Sequence, residues 1–267
     1  MKTIKTLTLL FSLALLLASC QDVIEIDLNS IDPIIVIDGA VTSNDTIKIK
    51  ISKSGDYFDP GIYPAVSNAK VTITDNLGNT SSLTETDSGL YVTNLPVSEG
   101  TEYTLKVVSE NQEYSATVSM PDEVMIDSLS YEPTPKFMEF SGGYLVSAYA
   151  HDPAGVKNYY RMNAYSLLDS TNTKKYLKVV DDAFVDGNVI TFQWDVEQFM
   201  ALDKVVFELQ CIDKASFDYY TSLAALFEGG MIGSSNPSNP ETNLSNGALG
   251  HFGAYTISRD TIMIEPQ

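Results

Sequence analysis

The sequence predicts a mainly β protein, and three observations support this prediction. Short runs alternate apolar and polar residues, as in 46–53, where Ile47, Ile49 and Ile51 face one way and lysines the other. Tyrosine (15 residues) outnumbers phenylalanine (11) and tryptophan (1), and a chain rich in tyrosine and threonine suits strands. Glycine, proline, asparagine and aspartate separate the runs, as turns between strands require.

The first half contains about seven short predicted strands with regular spacing and polar turns, which indicates an immunoglobulin-like β-sandwich over residues 33–121. Asp75 to Asn79 is dense in turn-forming residues and predicts a hairpin. Tyr103 either resembles the corner tyrosine of immunoglobulin-like domains or is a simple strand tyrosine. The runs are 34–39, 46–53, 69–75, SSLTET, GLYVTN, TEYTLKVVSE and QEYSATVSM.

Met120-Pro121 ends this series, because proline lacks a backbone donor and fixes its own φ. We place a domain boundary there and predict a second β-rich domain over 122–267. A helix is predicted near 214–228, where apolar residues recur at helical spacing before Gly229-Gly230. Strands are predicted at 124–133, 143–152, 158–168, 174–182, 188–196, 204–213, 247–258 and 259–265.

Residues 1–19 have the features of a secretory signal peptide: Lys2 and Lys5, then a short apolar run, then small residues. The run is shorter than the roughly 20 apolar residues that a membrane-spanning helix needs. Leu17-Ala18-Ser19-Cys20 resembles the bacterial lipobox, whose cysteine receives a diacylglycerol. We therefore expect a lipid on Cys20, a tether over 20–32 and an outer-membrane location facing the periplasm or the cell surface. The alternative is an ordinary signal peptide with a chance cysteine at its end.

The chain is strongly acidic, with 35 Asp and Glu against 16 Lys and Arg. Loss of Lys2 and Lys5 with the signal peptide would take the net charge from −19 to −21. Such a charge argues against nucleic acid as a partner, because phosphates demand a basic surface. It keeps the protein soluble and, as a second interpretation, attracts a cationic or basic partner.

Few residues suit common catalysis, so we expect no enzyme activity. A catalytic serine or cysteine needs a histidine partner, and His151 and His251 lie near no nucleophile motif. Cys211 lies in an alternating run, which predicts a small buried side chain. The acidic residues of 181–186 suit either calcium or a solvated turn, and we favour the turn because a complete calcium loop is missing. No metal and no cofactor are expected.

Two segments are candidates for a binding face. The first is 158–161, with Tyr159, Tyr160 and Arg161, where the arginine either pairs with an acid inside the fold or contacts a ligand. In the second, at 247–255, glycine recurs every third residue around His251, Phe252 and Tyr255. Glycine in a strand marks a bulge or a close approach of backbone, so a tightly packed strand is the alternative.

Several strings resemble one Bacteroidota outer-membrane lipoprotein family, the domain of unknown function DUF4249. They include LNSIDPIIVIDGAVTSND near the start, Asn158-Tyr159-Tyr160-Arg161 in the middle and Gly247 to Tyr255 near the end. The resemblance implies no catalytic residues, but it implies a lipoprotein often encoded beside a TonB-dependent transporter. We therefore expect a binding or accessory component of an uptake system. The alternative is a structural or adhesion lipoprotein whose immunoglobulin-like domain is a spacer.

Overall fold

The structure is a computed structural model that describes residues 32–43, 46–55, 61, 63–135, 142–168, 177–232 and 239–266. Cys20, the predicted signal peptide and nearly all of the tether lie outside the described residues. The strands are β1 (Ile35–Thr42), β2 (Ile47–Lys53), β3 (Lys70–Asp75), β4 (Thr80–Ser82), β5 (Thr84–Asp87), β6 (Leu90–Thr93), β7 (Glu102–Ser109), β8 (Gln112–Ser119), β9 (Ile126–Pro133), β10 (Tyr144–His151), β11 (Tyr159–Ser166), β12 (Lys178–Asp181), β13 (Val189–Phe199), β14 (Lys204–Ile212) and β15 (Leu249–Met263). One helix, α1, spans Lys214–Ile232.

The described strands form one long sheet and two smaller ones. The long sheet has eight strands in the order β12-β11-β14-β15-β1-β2-β6-β5. A four-stranded sheet, β4-β3-β7-β8, packs on one half of it, and a three-stranded sheet, β13-β10-β9, packs on the other half. Each pair of facing sheets encloses its own hydrophobic core. The prediction of a mainly β protein with sandwiched sheets is confirmed.

The first core shows why the N-terminal half folds as a sandwich. Ile47, Ile49 and Ile51 are fully buried in it, while the residues between them point to the other face of the long sheet. Tyr103 accepts a hydrogen bond of 2.8 Å from the backbone N–H of Ser98, five residues upstream. This backward bond is the one that a corner tyrosine makes, so of the two interpretations of Tyr103 the corner tyrosine is the correct one.

The second core lies under the other half of the long sheet. Phe207, Leu209 and Cys211 of β14 project into it and meet Phe192 and Trp194 of β13. Cys211 is 1% exposed, and burial raises the pKa of its thiol to about 11. The prediction of a small, buried and unreactive side chain at 211 is consistent with both observations.

Strand β15 joins the two halves. Its first part, 249–255, pairs with β1 in parallel, and its second part, 255–263, pairs with β14 in antiparallel. The sequence predicted two strands here, at 247–258 and 259–265, and the structure corrects this to one continuous strand. The predicted boundary near 121 does not separate the two cores, because Leu244, Ala248, Phe252 and Ala254 from the C-terminal half belong to the first core. The shared sheet makes Pro33–Gln267 one compact unit, so the expectation of two separate domains is also corrected.

Helix α1 confirms the helix predicted near 214–228 and continues through Gly229-Gly230 to Ile232. It packs on the face of the long sheet opposite the cores, over β15, β11 and β12. Asp213 precedes the helix and caps it, since its side chain accepts hydrogen bonds from the first turn. Within the described ranges, no helix is long and apolar enough to cross a membrane.

Candidate functional site

A cavity of about 440 Å³ opens beside α1, on the face of the long sheet that lies opposite the cores. Strand alternation produces its floor. On β1, Asp38, Ala40 and Thr42 line the cavity, while Ile37 and Val41, which alternate with them, enter the first core. The floor is therefore built from the outward-facing residues of strands whose inward-facing residues form the core of the sandwich.

Strand register brings side chains from distant parts of the sequence into rows across this floor. Asp38 lies opposite His251 on one side and opposite Lys50 on the other. Tyr255 lies opposite Thr42. These rows depend on the parallel pairing of β1 with β15, which joins segments more than 200 residues apart in the chain.

Arg161 of β11 forms a wall of the cavity together with Tyr220 of α1. The guanidinium carbon lies 4.6 Å from the centroid of the Tyr220 ring, which is a cation–π distance. Its Nη1 makes two long hydrogen bonds, 3.4 Å to the Tyr220 hydroxyl and 3.5 Å to Oε1 of Gln210. Among the described residues no carboxylate forms an ion pair with Arg161. Of the two roles that the sequence left open, pairing with an acid is therefore not the one found.

His251 lies at the edge of the cavity, where its uncharged ring packs against α1. It is 3% exposed, and burial together with nearby Arg161 lowers its pKa to about 4. Its ring stacks on Tyr219 at 4.7 Å, and Nε2 lies 3.0 Å from the hydroxyl oxygen of Ser216. Because Ser216 donates its own hydrogen to Asp213, Nε2 must be the donor to Ser216.

The order Asp213–Ser216–His251 differs from that of a hydrolase triad. In a catalytic triad the histidine lies between the carboxylate and the serine and removes the serine proton. Here the serine lies in the middle and is 1% exposed, so its proton is held by Asp213. Burial raises the pKa of Asp213, although hydrogen bonds from Ser216 and Ala254 act in the opposite direction. This arrangement can cap the helix and fix it to β15.

Close packing explains Gly250 and Gly253 of the 247–255 string, whereas Gly247 has open space around it and a φ of +73°. A Cβ atom on Gly253 would lie 2.5 Å from Cε1 of His251 and would also overlap the Ser216 hydroxyl. Gly250 has φ +93°, and a Cβ there would overlap the carbonyl oxygen of Ile37. Of the two predicted causes, a close approach of neighbouring atoms is the one observed, and it lets α1 approach the sheet.

Thr42 is a polar group of the floor that has no hydrogen-bond partner among the described residues. It is 7% exposed, and its hydroxyl oxygen is buried. Buried polar atoms are nearly always hydrogen-bonded, so such an exception calls for an explanation. A water or a ligand in the cavity would supply the partner.

The six predicted binding residues do not share one face. Arg161, His251 and Tyr255 line the cavity. Tyr160 and Phe252 are both fully buried, because neighbours in a strand point to opposite faces and these two enter the cores. Tyr160 donates a hydrogen bond to Asp152, and burial with that bond raises its pKa.

Tyr159, the remaining candidate, packs against Phe217 of α1 at 4.8 Å between ring centroids. It therefore holds the helix and does not line the cavity. The predicted face is thus corrected to its three cavity-lining members.

The sequence did not identify Lys48, Lys50 and Tyr220 as part of the site. The alternation of β2 did place the two lysines on the polar face. What was missing was the position of α1, since nothing in the local pattern tells that Tyr220 faces Arg161. A search for basic residues that alternate with the buried residues of the first strands could have found the two lysines.

A cluster of three aspartates lies away from the cavity, on the loops near β12. Carboxylate oxygens of Asp152, Asp182 and Asp186 lie within 4.8 Å of one another there. Backbone N–H groups already donate to all three: Gly187 to Asp152, Asn158 to Asp182 and Gly155 to Asp186. Burial raises the pKa of Asp182, but hydrogen bonds from Lys157 and Asn158 bring it below its usual value. These bonds give the three carboxylates a structural role in holding the loops.

The long sheet with two cores on one face and a charged cavity on the other defines a β-sandwich protein with an open surface site. The family described as "Domain of unknown function (DUF4249)" matches residues 21–261, and the chain belongs to this family. The resemblance to this domain of unknown function, noted from the sequence, is thereby confirmed. The description of the family assigns no activity.

Among solved structures, the chain is similar to a segment of two fibronectin type III domains from chicken tenascin, at 13% identity over 67% of this chain and 91% of that chain, with a TM-score of 0.25. The fold class follows from the three sheets of the structure. No curated protein matches the sequence.

Proposed function

We propose that this protein is a non-enzymatic, lipid-anchored binding protein of the cell outer membrane and an accessory component of a TonB-dependent uptake system. One observation carries the binding role: residues from β1, β2, β11, β15 and α1 converge on a single cavity. Its volume, about 440 Å³, lies in the usual range of small-molecule sites, roughly 300–1,000 Å³.

The state of the reactive side chains supports binding over catalysis. His251 is neutral and fixed by Ser216, and the proton of Ser216 is held by Asp213. Cys211 is buried with a raised pKa, which disfavours the thiolate that a nucleophile needs. Each of these groups therefore has a structural role that catalysis would have to disturb.

The anchor and the partner rest on sequence arguments. The lipobox-like Leu17 to Cys20 supports a lipid on Cys20, and stable anchoring needs two or more acyl chains. The family resemblance implies a TonB-dependent transporter encoded nearby. The net charge of −19 disfavours nucleic acid as a partner.

A pulldown tests this proposal. The protein carries a C-terminal tag, is expressed together with the neighbouring transporter, and is isolated in mild detergent for mass spectrometry. We expect wild type to recover the transporter, whereas Cys20→Ala should leave the membrane fraction and recover much less of it. Recovery of wild type alone would contradict the transporter role.

The alternative is a structural or adhesion lipoprotein. The immunoglobulin-like core around Tyr103 favours it, because such sandwiches are common in cell-surface proteins. Under this alternative the wild type is recovered without a transporter, and deleting the protein reduces attachment of cells to a surface while uptake stays normal.

A further inference from the structure

We propose that the cavity binds a small organic acid, with Arg161 holding the oxyanion and Lys48 and Lys50 adding positive charge. The inference rests on the proposed function, because it names the ligand class of the same site. The shared chemistry is a carboxylate or phosphate group carried on a small carbon skeleton.

The contrast between the two arginines of the chain is the first argument. Arg259 forms an ordinary ion pair, with its Nε 2.7 Å from Oε2 of Glu208. Arg161 is half-buried, and both of its hydrogen bonds use Nη1 and are 3.4 Å or longer. A guanidinium has five N–H donors, so the Nε and Nη2 donors of Arg161 have no partner within the described residues. Such a planar fork matches a carboxylate or phosphate.

Asp38 lines the same cavity, but neither it nor any other described carboxylate forms an ion pair with Arg161. Gln210, which lies opposite Arg161 on β14, donates its own side-chain N–H to Glu208 at 2.7 Å. Glu208 is already paired with Arg259. His251 carries no charge near neutral pH, because its pKa is about 4. The guanidinium charge is therefore available to a bound anion.

The balance of charge along the lining is the second argument. Lys48 and Lys50 join Arg161 around the cavity, whereas Asp38 is the sole acid among the described lining residues. This local excess of positive charge occurs in a chain whose net charge is −19. Neither lysine forms an ion pair with a described residue, so both remain to attract an anion that enters.

The overall negative charge limits the size of the ligand. Fields of exposed charges are screened beyond about 10 Å at moderate salt, so a small anion inside the cavity is affected mainly by the local cations. A polyanion would instead extend over the acidic surface and be repelled. The Tyr220 ring and the buried Thr42 hydroxyl add an apolar surface and a hydrogen-bonding group for the rest of the molecule.

Equilibrium dialysis of the full chain in mild detergent tests the inference, with radiolabelled benzoate, phenyl phosphate and neutral benzamide as probes. We expect at least one anion to bind roughly tenfold or more tightly than benzamide, since a charge-assisted bidentate contact is involved. Preference between benzoate and phenyl phosphate identifies the oxyanion. Detergent without protein is the blank.

Arg161→Gln should weaken binding of the preferred anion by roughly tenfold or more, and Arg259→Gln is the matched control that should bind as wild type. Lys48→Gln and Lys50→Gln, at exposed positions, should each weaken binding by about two- to threefold, which keeps the test valid even if Arg161→Gln unfolds. Ala40→Trp should abolish binding by filling the cavity.

Two outcomes would overturn the inference: equal binding of benzamide and both anions, or anion binding that survives Arg161→Gln and both lysine changes. Benzamide binding that is lost only in Ala40→Trp would leave the binding function intact but would refute the proposal that the ligand is an organic acid. Failure of the transporter pulldown, with anion binding present, would refute the uptake role and leave the ligand class standing.

Discussion

The Nε2 atom of His251 lies 3.0 Å from the hydroxyl oxygen of Ser216 and so connects β15 to the first turn of α1. This bond fixes the helix that carries Tyr220, and Tyr220 in turn covers the guanidinium of Arg161. The edge of the cavity therefore depends on a neutral histidine. Any change that charges or moves His251 should alter both the stability of the fold and the shape of the cavity.

Stability should fall between pH 6.5 and pH 4 because of His251. In the unfolded chain the pKa of a histidine is about 6.5, whereas burial and Arg161 lower it to about 4 in the fold. In this window the unfolded state binds more protons, so the free energy of unfolding decreases as pH falls. We expect this group to remove about 3 kcal/mol between pH 7 and pH 4.

Urea unfolding of wild type and His251→Gln over this pH range measures the effect. The variant should start less stable at pH 7 and lose less on acidification, so the two curves should converge. His151→Gln, at an exposed position, is the control and should follow wild type. Parallel curves for wild type and His251→Gln would refute the assignment.

Gly253→Ala should destabilise the protein by about 2 kcal/mol, as overpacking commonly does. The added Cβ would lie 2.5 Å from Cε1 of His251 and overlap the Ser216 hydroxyl. Adding Ser216→Ala removes one of the two clashes, so the combined loss in a double-mutant cycle should be smaller than the sum of the single losses. Strictly additive losses in urea unfolding would show that the close approach is not what requires glycine.

Counting reactive thiols tests the lipid on Cys20. Cys211 is 1% exposed with a pKa of about 11, so a thiol reagent should not modify it in the native state. With Cys20 lipidated, the mature protein should show no reactive thiol when native and one in denaturant. A free Cys20 would add one thiol in each state, and that result would contradict lipidation.

Much of the fold could be predicted from local pattern. Alternation identified the strands around Ile49, turn residues identified the hairpin at Asp75, and helical spacing identified α1. The hairpin is held by Asp75, whose side chain accepts hydrogen bonds from the N–H groups of Leu77 and Asn79 at 2.9 and 2.8 Å. Such contacts join residues close in sequence, which is why a local pattern reveals them.

The candidate site was harder to predict, because it depends on contacts between distant segments. The parallel pairing of β1 with β15 brings His251 beside Asp38, and no local signal specifies that pairing. Aromatic composition alone does not show which face of the sheet a strand residue points to. The sequence therefore groups Tyr160 and Phe252 with Arg161, although these two side chains point into the cores. Once it is known which residues of β11 are buried, alternation along the strand places Arg161 on the outward face.

The most direct test of the binding role is to identify what the protein carries when it is isolated gently from the cells that make it. Wild type, Arg161→Gln and Arg259→Gln are purified in parallel, and small molecules released on denaturation are compared by mass spectrometry. The account predicts an organic acid enriched in wild type and Arg259→Gln and lost from Arg161→Gln. Recovery of the same molecules in the same amounts from all three proteins would contradict it.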